Sequence, residues 1–556
     1  MTRTFGARDH AVGFVLAAIY VAVLLLSSRN LGMSRDEGFY VVAAERYAEW
    51  FRILSDDRAR AFETETIDRI WNYNSEHPPL SKALFALSYI AQEKWHVFPQ
   101  QSMAYRFPAM VMAGLLLWLL YVFGARAHSR TAGLFAAAAY ALLPQPFYHA
   151  HLDCFDIPIT FFLTLVTYAY WRALESKAWI PVLGLVYGLA LATKHNAWII
   201  PGVFAIHFVY TFVRERRARK NGQAKSVMLI PWWLLSMAVL GPLVFLGSWP
   251  WLWHDTAERI RNYVAFHTNH VHYNFEYLGT TYFEPPFPMH VAWLSTLFTV
   301  PLVTLSLATL GMVWRGLALL PRRWTAWAGA LATDRRETDL LWLGCVLAPL
   351  VVISIPGTPI FGGTKHWYPG FPFFALFGGV AFAELAKHVA ALRPSWSRAK
   401  EIVTASGFVI TMLPALLETA HSHPFGLSFY TPIAGGVPGA ADLGMNRQFW
   451  GFTTGSLVDY FKREMPNGGS VWICDTTWDA WHMLQRDGRL PENIRVAGDI
   501  LSADYAIVHH EAHFNEVDYE IWQAYGHVSP DYVLTFDGVP IVSVYKRVPR
   551  SRLLQR

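Results

Sequence analysis

Long apolar runs separated by short polar segments recur along most of this chain. Eleven of these runs are nearly free of charge and approach the roughly 20 residues that a helix needs to cross about 30 Å of hydrocarbon. This pattern predicts a polytopic α-helical membrane protein with about eleven transmembrane helices. The predicted spans are residues 11–29, 102–123, 131–147, 157–173, 179–193, 197–213, 227–249, 290–313, 339–356, 367–386 and 401–419.

The polar connections between the spans predict their orientation. With the N-terminus in the cytoplasm, the basic segments 214–225, 315–337 and 387–400 all fall on the cytoplasmic side, as the positive-inside rule requires. Lys194 and His195 interrupt one apolar stretch, and reading that stretch as a single helix would move the basic segments to the wrong side. We therefore predict two spans there, and an odd total places the tail outside the cytoplasm.

Two regions are too polar to cross a membrane. In residues 30–101, "YVVAAERYAEWF" has apolar residues at helical spacing, which predicts an amphipathic surface helix. A second helix is expected after Pro78-Pro79, because proline suits a first helical turn. In the tail, "GSVWICDTT" and "ADYAIVHHE" indicate buried strands, and Asp537-Gly538 indicates a hairpin turn. We predict a membrane domain, residues 1–420, and a small C-terminal α/β domain, residues 421–556.

The composition narrows the functional classes. The chain is 53% hydrophobic and only 16% charged, whereas soluble domains carry about 25% charged residues. Basic residues cluster in short loops and not along one aromatic-rich face, which disfavours a nucleic-acid partner. No Gly-x-x-x-x-Gly-Lys loop is present, so no nucleotide cofactor is expected. The three cysteines indicate no disulfide framework.

Charged residues gather where predicted spans leave the membrane on the outer side. Asp36 and Glu37 follow the first span directly, and "NSEHPPLSKALF" places His77 and Lys82 five residues apart, where both could face one pocket. The alternative reading is that Asp36 and Glu37 form a solvated turn and that Lys82 reaches toward lipid headgroups. Charges at a membrane boundary more often face a cavity or a specific partner, which favours a site.

Further polar residues fall on the same side and together predict a polar cavity at one membrane face. They are Arg106, His149, His151, Asp153, Asp156, Lys194, His195, Lys365 and His366. Carboxylates offer a base and the cations offer a binding site for an anion. A sugar carried on a lipid phosphate fits this set, because phosphate leaves as a stable anion and requires no general acid.

Several motifs, in this order, resemble the C-type glycosyltransferases of the protein O-mannosyltransferase and aminoarabinose-transferase superfamily. They are the "DE" pair, "HPPLxK", "LDCFDIPITFF", "GLALATKHNAWIIP" and the tail segment "HPFGLSFYTPIAGGVPGAADLGMNRQFWG". The resemblance implies a multi-span fold with surface helices in the first external loop, and a polyprenyl-phosphate sugar as donor. It also implies an active site at the periplasmic or lumenal face.

The resemblance also implies roles for individual residues. Asp36 would be the base for the acceptor hydroxyl, with Glu37 beside it assisting or binding metal. Lys82 would hold the donor phosphate, and His77 would shape the pocket or ligate a cation. Arg106, Lys194, Lys365 and His366 would add phosphate contacts, and Asp153 and Asp156 would line the pocket. A divalent metal is an open possibility, with Glu37, Glu76 and His77 as candidate ligands.

The sequence thus predicts an inverting glycosyltransferase of a bacterial inner membrane, with its site and tail on the periplasmic side. The acceptor could be a lipid, a polysaccharide or a protein. One alternative is a transporter or flippase for lipid-linked sugars, which would carry charges near the bilayer midplane on broken helices. A second is a non-catalytic scaffold that binds a partner through its tail.

Overall fold

The computed structural model describes residues 5–220, 230–320, 336–360 and 362–548. Parts of the predicted cytoplasmic segments 214–225 and 315–337, and the start of the predicted span 227–249, lie outside these residues. The helices up to residue 422 are, in order, α1 Ala7–Ser27, α2 Arg35–Asp56, α3 Arg58–Ala61, α4 Thr64–Trp71, α5 Leu80–Trp95, α6 Gln101–Ala127, α7 Arg130–Ala141, α8 Pro144–His149, α9 Asp156–Ala173, α10 Trp179–Leu191, α11 Ile200–Lys220, α12 Trp232–Gly247, α13 Thr256–Thr268, α14 Val291–Thr299, α15 Leu302–Leu317, α16 Arg336–Ile353, α17 Phe371–Ala391, α18 Pro394–Arg398 and α19 Lys400–Ser422.

Within the described residues, five helical segments are long and apolar enough to cross a membrane: 7–30, 101–127, 195–217, 363–391 and 400–422. Three shorter apolar helices, α10, α12 and α15, accompany them. The chain is therefore a multi-pass membrane protein, and the total of eleven spans stays a prediction. Helices α6 and α17 are mostly buried, whereas α1, α11 and α19 expose most of their apolar surface, as expected of helices that face lipid.

Two predicted spans are not single helices. The predicted span 131–147 breaks between α7 and α8, just before Pro144, and the predicted span 290–313 breaks between α14 and α15 at Pro301. Proline disfavours helical geometry in the residue before it, which explains both breaks. The predicted separation of residues 179–193 from 197–213 is confirmed, because a short 3₁₀ turn at His195–Ile199 divides α10 from α11.

Residues 30–101, the first segment predicted to be external, form a layer of helices on the apolar helices of the chain. Helix α2 matches the predicted amphipathic helix, and α5 begins at Leu80, directly after Pro78-Pro79 as predicted. Helix α5 packs on both α2 and α6. The interior of this layer is aromatic, with Tyr47 and Trp50 of α2 packed against Trp71 of α4. This packing holds the start of α2 in a fixed place above the membrane helices.

The strands are β1 Phe275–Tyr277, β2 Thr280–Tyr282, β3 Gly469–Trp472, β4 Ile494–Val496, β5 Tyr505–His509, β6 Tyr532–Phe536 and β7 Val539–Lys546. The β1–β2 hairpin lies between α13 and α14 and was not predicted. The tail forms a five-stranded sheet in the order β4-β3-β5-β7-β6, in which the β6–β7 hairpin turns at Asp537-Gly538 as predicted. Both turn residues have positive φ, which suits this tight turn.

Four helices accompany the sheet: α20 Gly436–Asp442, α21 Val458–Glu464, α22 Trp478–Arg486 and α23 Asn515–Tyr525. The small α/β architecture of the tail is therefore confirmed, while the domain boundary near residue 420 stays a prediction.

The tail is packed tightly on the first external segment. Helix α22 lies against α2, where Gly38 leaves no room for a Cβ beside Thr477. The carboxylate of Asp487 accepts hydrogen bonds from the backbone N–H (3.0 Å) and the hydroxyl (2.6 Å) of Ser102. Arg489 donates to the backbone oxygens of residues 30 and 31 at 3.1 and 2.7 Å. The tail therefore reaches the loop that leads into α2.

Candidate active site

A cavity of about 370 Å³ lies between the membrane helices and the external layer. Its polar wall carries Asp36, Tyr40, His77, Asp156, Lys194, His195, His267, His270, Lys365 and His366. Its apolar wall carries Leu163, Ile199, Ile200, Val203, Cys345, Ala348, Pro349, Val352, Ile353 and Phe373. The apolar residues come mainly from α9, α11, α16 and α17. The cavity thus joins a charged end to an apolar end within the helices.

Asp36 and Glu37 are adjacent in sequence but point in different directions. They occupy the second and third positions of α2, and consecutive helical residues are rotated by about 100°. Asp36 lines the cavity and keeps 22% of its side-chain surface exposed, whereas Glu37 is fully buried. The two neighbouring carboxylates therefore have different surroundings and can do different work.

Glu37 forms a buried ion pair with Arg106 of α6. Arg106 Nε and Nη2 donate to the two carboxylate oxygens at 2.7 and 3.0 Å, and Nη2 also donates to the Gly32 carbonyl at 2.7 Å. The backbone N–H of Ser34 donates to Glu37 at 2.7 Å. Burial opposes ionisation of Glu37, but Arg106 and the other donors outweigh it and hold the pKa of Glu37 below its usual value. Arg106 and Glu37 do not line the cavity.

Asp153 lies beside this ion pair. Its backbone N–H approaches Glu37 Oε1 at 3.3 Å. Burial, together with the negative charge of Glu37, raises the pKa of the Asp153 carboxyl well above its usual range. Asp153 is thus favoured in its neutral form, and like Glu37 it does not line the cavity.

Asp36 faces Lys365 across the cavity. Lys365 Nζ lies 3.6 Å from Asp36 Oδ2 and 3.8 Å from the centre of the Trp450 ring, which the tail contributes. A cation over an aromatic face is held electrostatically. The geometry places a carboxylate and an ammonium group together at the polar end of the cavity.

A second cation lies in the same wall, next to Asp156. Lys194 Nζ donates to Asp156 Oδ1 at 2.7 Å, and His149 Nδ1 lies 3.4 Å from Asp156 Oδ2. Asp156 opens α9, where a carboxylate is stabilised by the helix N-terminus. The Asp156 carboxylate is therefore occupied by Lys194 and His149, which disfavours Asp156 as a nucleophile.

Lys82 lies outside the cavity wall, in contrast to its predicted position. Its ammonium group donates to the backbone oxygens of Asn74 (2.6 Å) and His77 (2.8 Å) and to Asn74 Oδ1 (3.2 Å). Burial lowers the pKa of Lys82 to about 7. These contacts use all three donors of the ammonium group. The role this geometry supports for Lys82 is to hold the loop that places His77 in the cavity wall.

Histidines form the side of the cavity nearest the external loops. His195 and His267 stack with ring centres 4.0 Å apart, and His77 lies 6.1 Å from His267. Burial is the main cause that lowers the pKa of His267 to about 4 and that of His77 well below its usual value. Both rings are therefore favoured in their neutral forms. His366, predicted from the sequence, also lines the cavity, whereas His151 bonds to Ser27 at 2.8 Å away from it.

The three candidate metal ligands do not come together. Glu37 is paired with Arg106, Glu76 accepts from Asn74 Nδ2 at 2.7 Å, and His77 lines the cavity. Among the described residues, no group of three or more His, Cys, Asp or Glu side chains could hold a metal ion. The three residues named as candidate ligands are therefore not brought together into one metal site.

Several residues at or near the site were not predicted from the sequence as site residues, among them Arg35, Tyr40, His267, His270, Trp450 and Asp475. His267 belongs to the run "HTNHVH", whose density of histidines was the available signal. Trp450 lies in the tail segment "NRQFWG", which was used only for the resemblance. Arg35 and Asp475 carry no motif and are brought together only by the docking of the tail.

Comparisons with known proteins agree with this architecture. Residues 76–246 match the family described as dolichyl-phosphate-mannose-protein mannosyltransferase. No curated protein sequence matches the chain. The structure is similar to ArnT from Cupriavidus metallidurans in the apo state, with 15% identity and a TM-score of 0.50 over 97% of this chain and 98% of that chain. This likeness shows the fold, and the resemblance predicted from the motifs is confirmed.

Two further structures are similar at lower scores. ArnT from Cupriavidus metallidurans bound to undecaprenyl phosphate has 16% identity and a TM-score of 0.47, over 97% of this chain and 98% of that chain. The archaeal oligosaccharyltransferase AglB from Archaeoglobus fulgidus, in complex with an inhibitory peptide and a dolichol-phosphate, has 11% identity and a TM-score of 0.47. That match covers 93% of this chain and 71% of that chain.

The burial of Glu37 predicts a structural role that a stability measurement can separate from catalysis. Glu37→Gln leaves the Arg106 charge buried without its partner, so the free energy of unfolding should fall by about 3–5 kcal/mol. Denaturant unfolding in detergent measures this change. The control is Glu49→Gln, because Glu49 pairs with Arg69 at 2.7 Å with both side chains nearly half exposed, and it should cost less than about 1 kcal/mol. Equal small losses in the two variants would contradict the assignment.

Proposed function

We propose that this chain, with its C-type glycosyltransferase fold, transfers a sugar from a polyprenyl-phosphate donor to an acceptor hydroxyl at the periplasmic face of a bacterial inner membrane. The observation that carries the proposal is the Asp36 carboxylate 3.6 Å from the Lys365 ammonium group, at the polar end of a cavity with an apolar extension. The match of residues 76–246 to a family named for a lipid-phosphate sugar supports the donor class.

The shape of the cavity fits the two parts of such a donor. The apolar wall between α9, α11, α16 and α17 offers an isoprenoid chain an environment like the bilayer interior. Lys365 and Lys194 at the polar end offer charge-assisted hydrogen bonds to a phosphate. A donor bound in this way would have the bond between its sugar and its phosphate beside Asp36.

Asp36 can act as the general base in this arrangement. It accepts the proton of the acceptor hydroxyl while the oxygen attacks the anomeric carbon and the bond to phosphate breaks. The lysines stabilise the negative charge that develops on the departing phosphate. No general acid is required, because the leaving group is a stable anion.

The arrangement favours inversion at the anomeric carbon. A retaining mechanism needs a second carboxylate as nucleophile, and the other carboxylate of the cavity wall, Asp156, is bound to Lys194 at 2.7 Å and neighbours His149. With Asp36 as the base, one direct displacement inverts the configuration. The acceptor supplies the hydroxyl and belongs to the lipids, polysaccharides or proteins of the periplasmic face.

The role of Asp36 predicts loss of transfer without loss of fold. Asp36→Asn should lower the rate by at least about 100-fold, since an amide does not accept the proton. The assay is release of polyprenyl phosphate, followed by mass spectrometry, in proteoliposomes that contain lipid extract and envelope material from cells lacking the gene. Asp57→Asn is the control, because Asp57 caps α3 away from the cavity and asparagine caps equally well. Product formation at the wild-type rate by Asp36→Asn would remove Asp36 as the base.

The two lysine positions predict different effects on binding of the lipid phosphate. Lys365→Met should weaken binding of undecaprenyl phosphate by about 10- to 100-fold, the scale of one hydrogen bond to a charged group. Lys82→Met should reduce thermal stability and change binding by less than about threefold, because Lys82 contacts backbone oxygens outside the cavity. Native mass spectrometry with undecaprenyl phosphate measures both. The reverse pattern would restore the sequence-based assignment of Lys82.

A further inference from the structure

The tail reaches Asp36 through one side chain, Arg35. Arg35 Nη1 donates to Asp475 Oδ1 at 2.7 Å, while Arg35 Nε lies 3.8 Å from Asp36 Oδ1. The Arg35 backbone N–H also donates to the Trp450 carbonyl at 2.7 Å. The guanidinium thus lies between two carboxylates and makes its short contact with the one that belongs to the tail.

This division matters because a direct arginine pair would disable a base. A guanidinium and a carboxylate favour two parallel hydrogen bonds at 2.7–2.9 Å. Such a pair would occupy both oxygens of Asp36 and stabilise its ionised form against taking a proton. Arg35 is adjacent in sequence and close enough that a small side-chain rotation would form the contact. A competing contact is therefore needed to keep the Arg35 guanidinium away from Asp36.

Asp475 of the tail provides this competing contact. It follows β3, its side chain is only 4% exposed, and Arg35 is its close ionic partner. A buried carboxylate requires a compensating charge, so the Asp475–Arg35 contact is costly to break. Burial raises the pKa of Asp475, and the charge of Arg35 opposes that shift. Burial and the charge of Asp475 raise the pKa of the neighbouring Glu511 carboxyl well above its usual value, so Glu511 is favoured in its neutral form. Glu511 also accepts a hydrogen bond from Gln448 at 2.7 Å. Arg35 is therefore drawn toward the tail.

We propose that Asp475 is a positioning residue that withdraws Arg35 from Asp36 and so keeps the base accessible to the acceptor hydroxyl. The tail is then a working part of the active site as well as a covering domain. The inference rests on the proposed role of Asp36 and adds to it the means by which the C-terminal sheet controls that role.

The test is a double-mutant cycle in which the second substitution is expected to restore part of the transfer rate that the first one removes. Asp475→Asn removes the charge that holds Arg35, so Arg35 should pair with Asp36 and the transfer rate should fall by about 10- to 100-fold. Undecaprenyl phosphate binding should stay unchanged, since Lys365 and Lys194 are untouched. Adding Arg35→Gln to Asp475→Asn removes the competing cation and should raise the rate by about fivefold or more above that of Asp475→Asn alone.

Two controls separate positioning from folding. Arg35→Gln alone leaves Asp475 buried without its partner and should lower the unfolding temperature, and the double variant should recover it. Asp487→Asn disturbs another contact of the tail, with Ser102, away from Asp36. It should change stability without the rescue by Arg35→Gln. A double variant no faster than Asp475→Asn would overturn the inference.

A structural readout makes the test independent of turnover. In a cryo-electron microscopy structure of the full-length Asp475→Asn protein, Arg35 should contact Asp36 at hydrogen-bond distance. An Arg35 side chain still directed at position 475 would overturn the inference even if Asp36 proves to be the base. Conversely, an Arg35 shift toward Asp36 in a protein whose Asp36→Asn variant transfers sugar normally would support the inferred geometry, whereas the proposed role of Asp36 as the base would fail.

Discussion

The site depends on the buried ion pair between Glu37 and Arg106, in which each side chain compensates the buried charge of the other. Arg106 is fully buried in α6, and its guanidinium binds both oxygens of Glu37 and the carbonyl of Gly32. An unpaired charge there would be strongly unfavourable. The pair therefore fixes the start of α2 on the membrane helices, and the helical rotation between neighbours directs Asp36 into the cavity. One carboxylate of the "DE" pair thus holds the scaffold, whereas the other lines the cavity.

The cations in the polar wall of the cavity are also held by specific partners. Asp156 fixes Lys194, and Trp450 supports Lys365. Each cation is oriented before a ligand arrives, which reduces the ordering cost of binding. The tail takes part in this preorganisation through Trp450, whose ring centre lies 3.8 Å from Lys365 Nζ.

The sequence predicted elements whose cause is local. The surface helices, the helix after Pro78-Pro79 and the Asp537-Gly538 hairpin follow from periodicity, proline and turn chemistry. The breaks before Pro144 and at Pro301 have a local cause as well, because proline disfavours helical geometry in the residue before it. They were not predicted, because the sequence is continuously hydrophobic across both positions. Asp36, Lys194, Lys365, His366, His77 and Asp156 were all predicted, and all line the cavity.

What the sequence did not predict depends on distant partners. Glu37 and Arg106 are 69 positions apart, so the division of roles between Asp36 and Glu37 was not visible in the motif. Lys82 was expected beside His77 in the pocket. Its ammonium group instead donates to the backbone oxygens of Asn74 and His77, in the loop before α5. Arg35 and Asp475 are separated by 440 positions and meet only because the tail packs onto α2 through α22.

The most direct measurement is a cryo-electron microscopy structure of the full-length protein with undecaprenyl phosphate bound. The account predicts that the phosphate contacts Lys365 beside Asp36, with the isoprenoid chain between α11 and α16. A phosphate bound at Lys82 or Arg106, or a lipid outside this cavity, would contradict it.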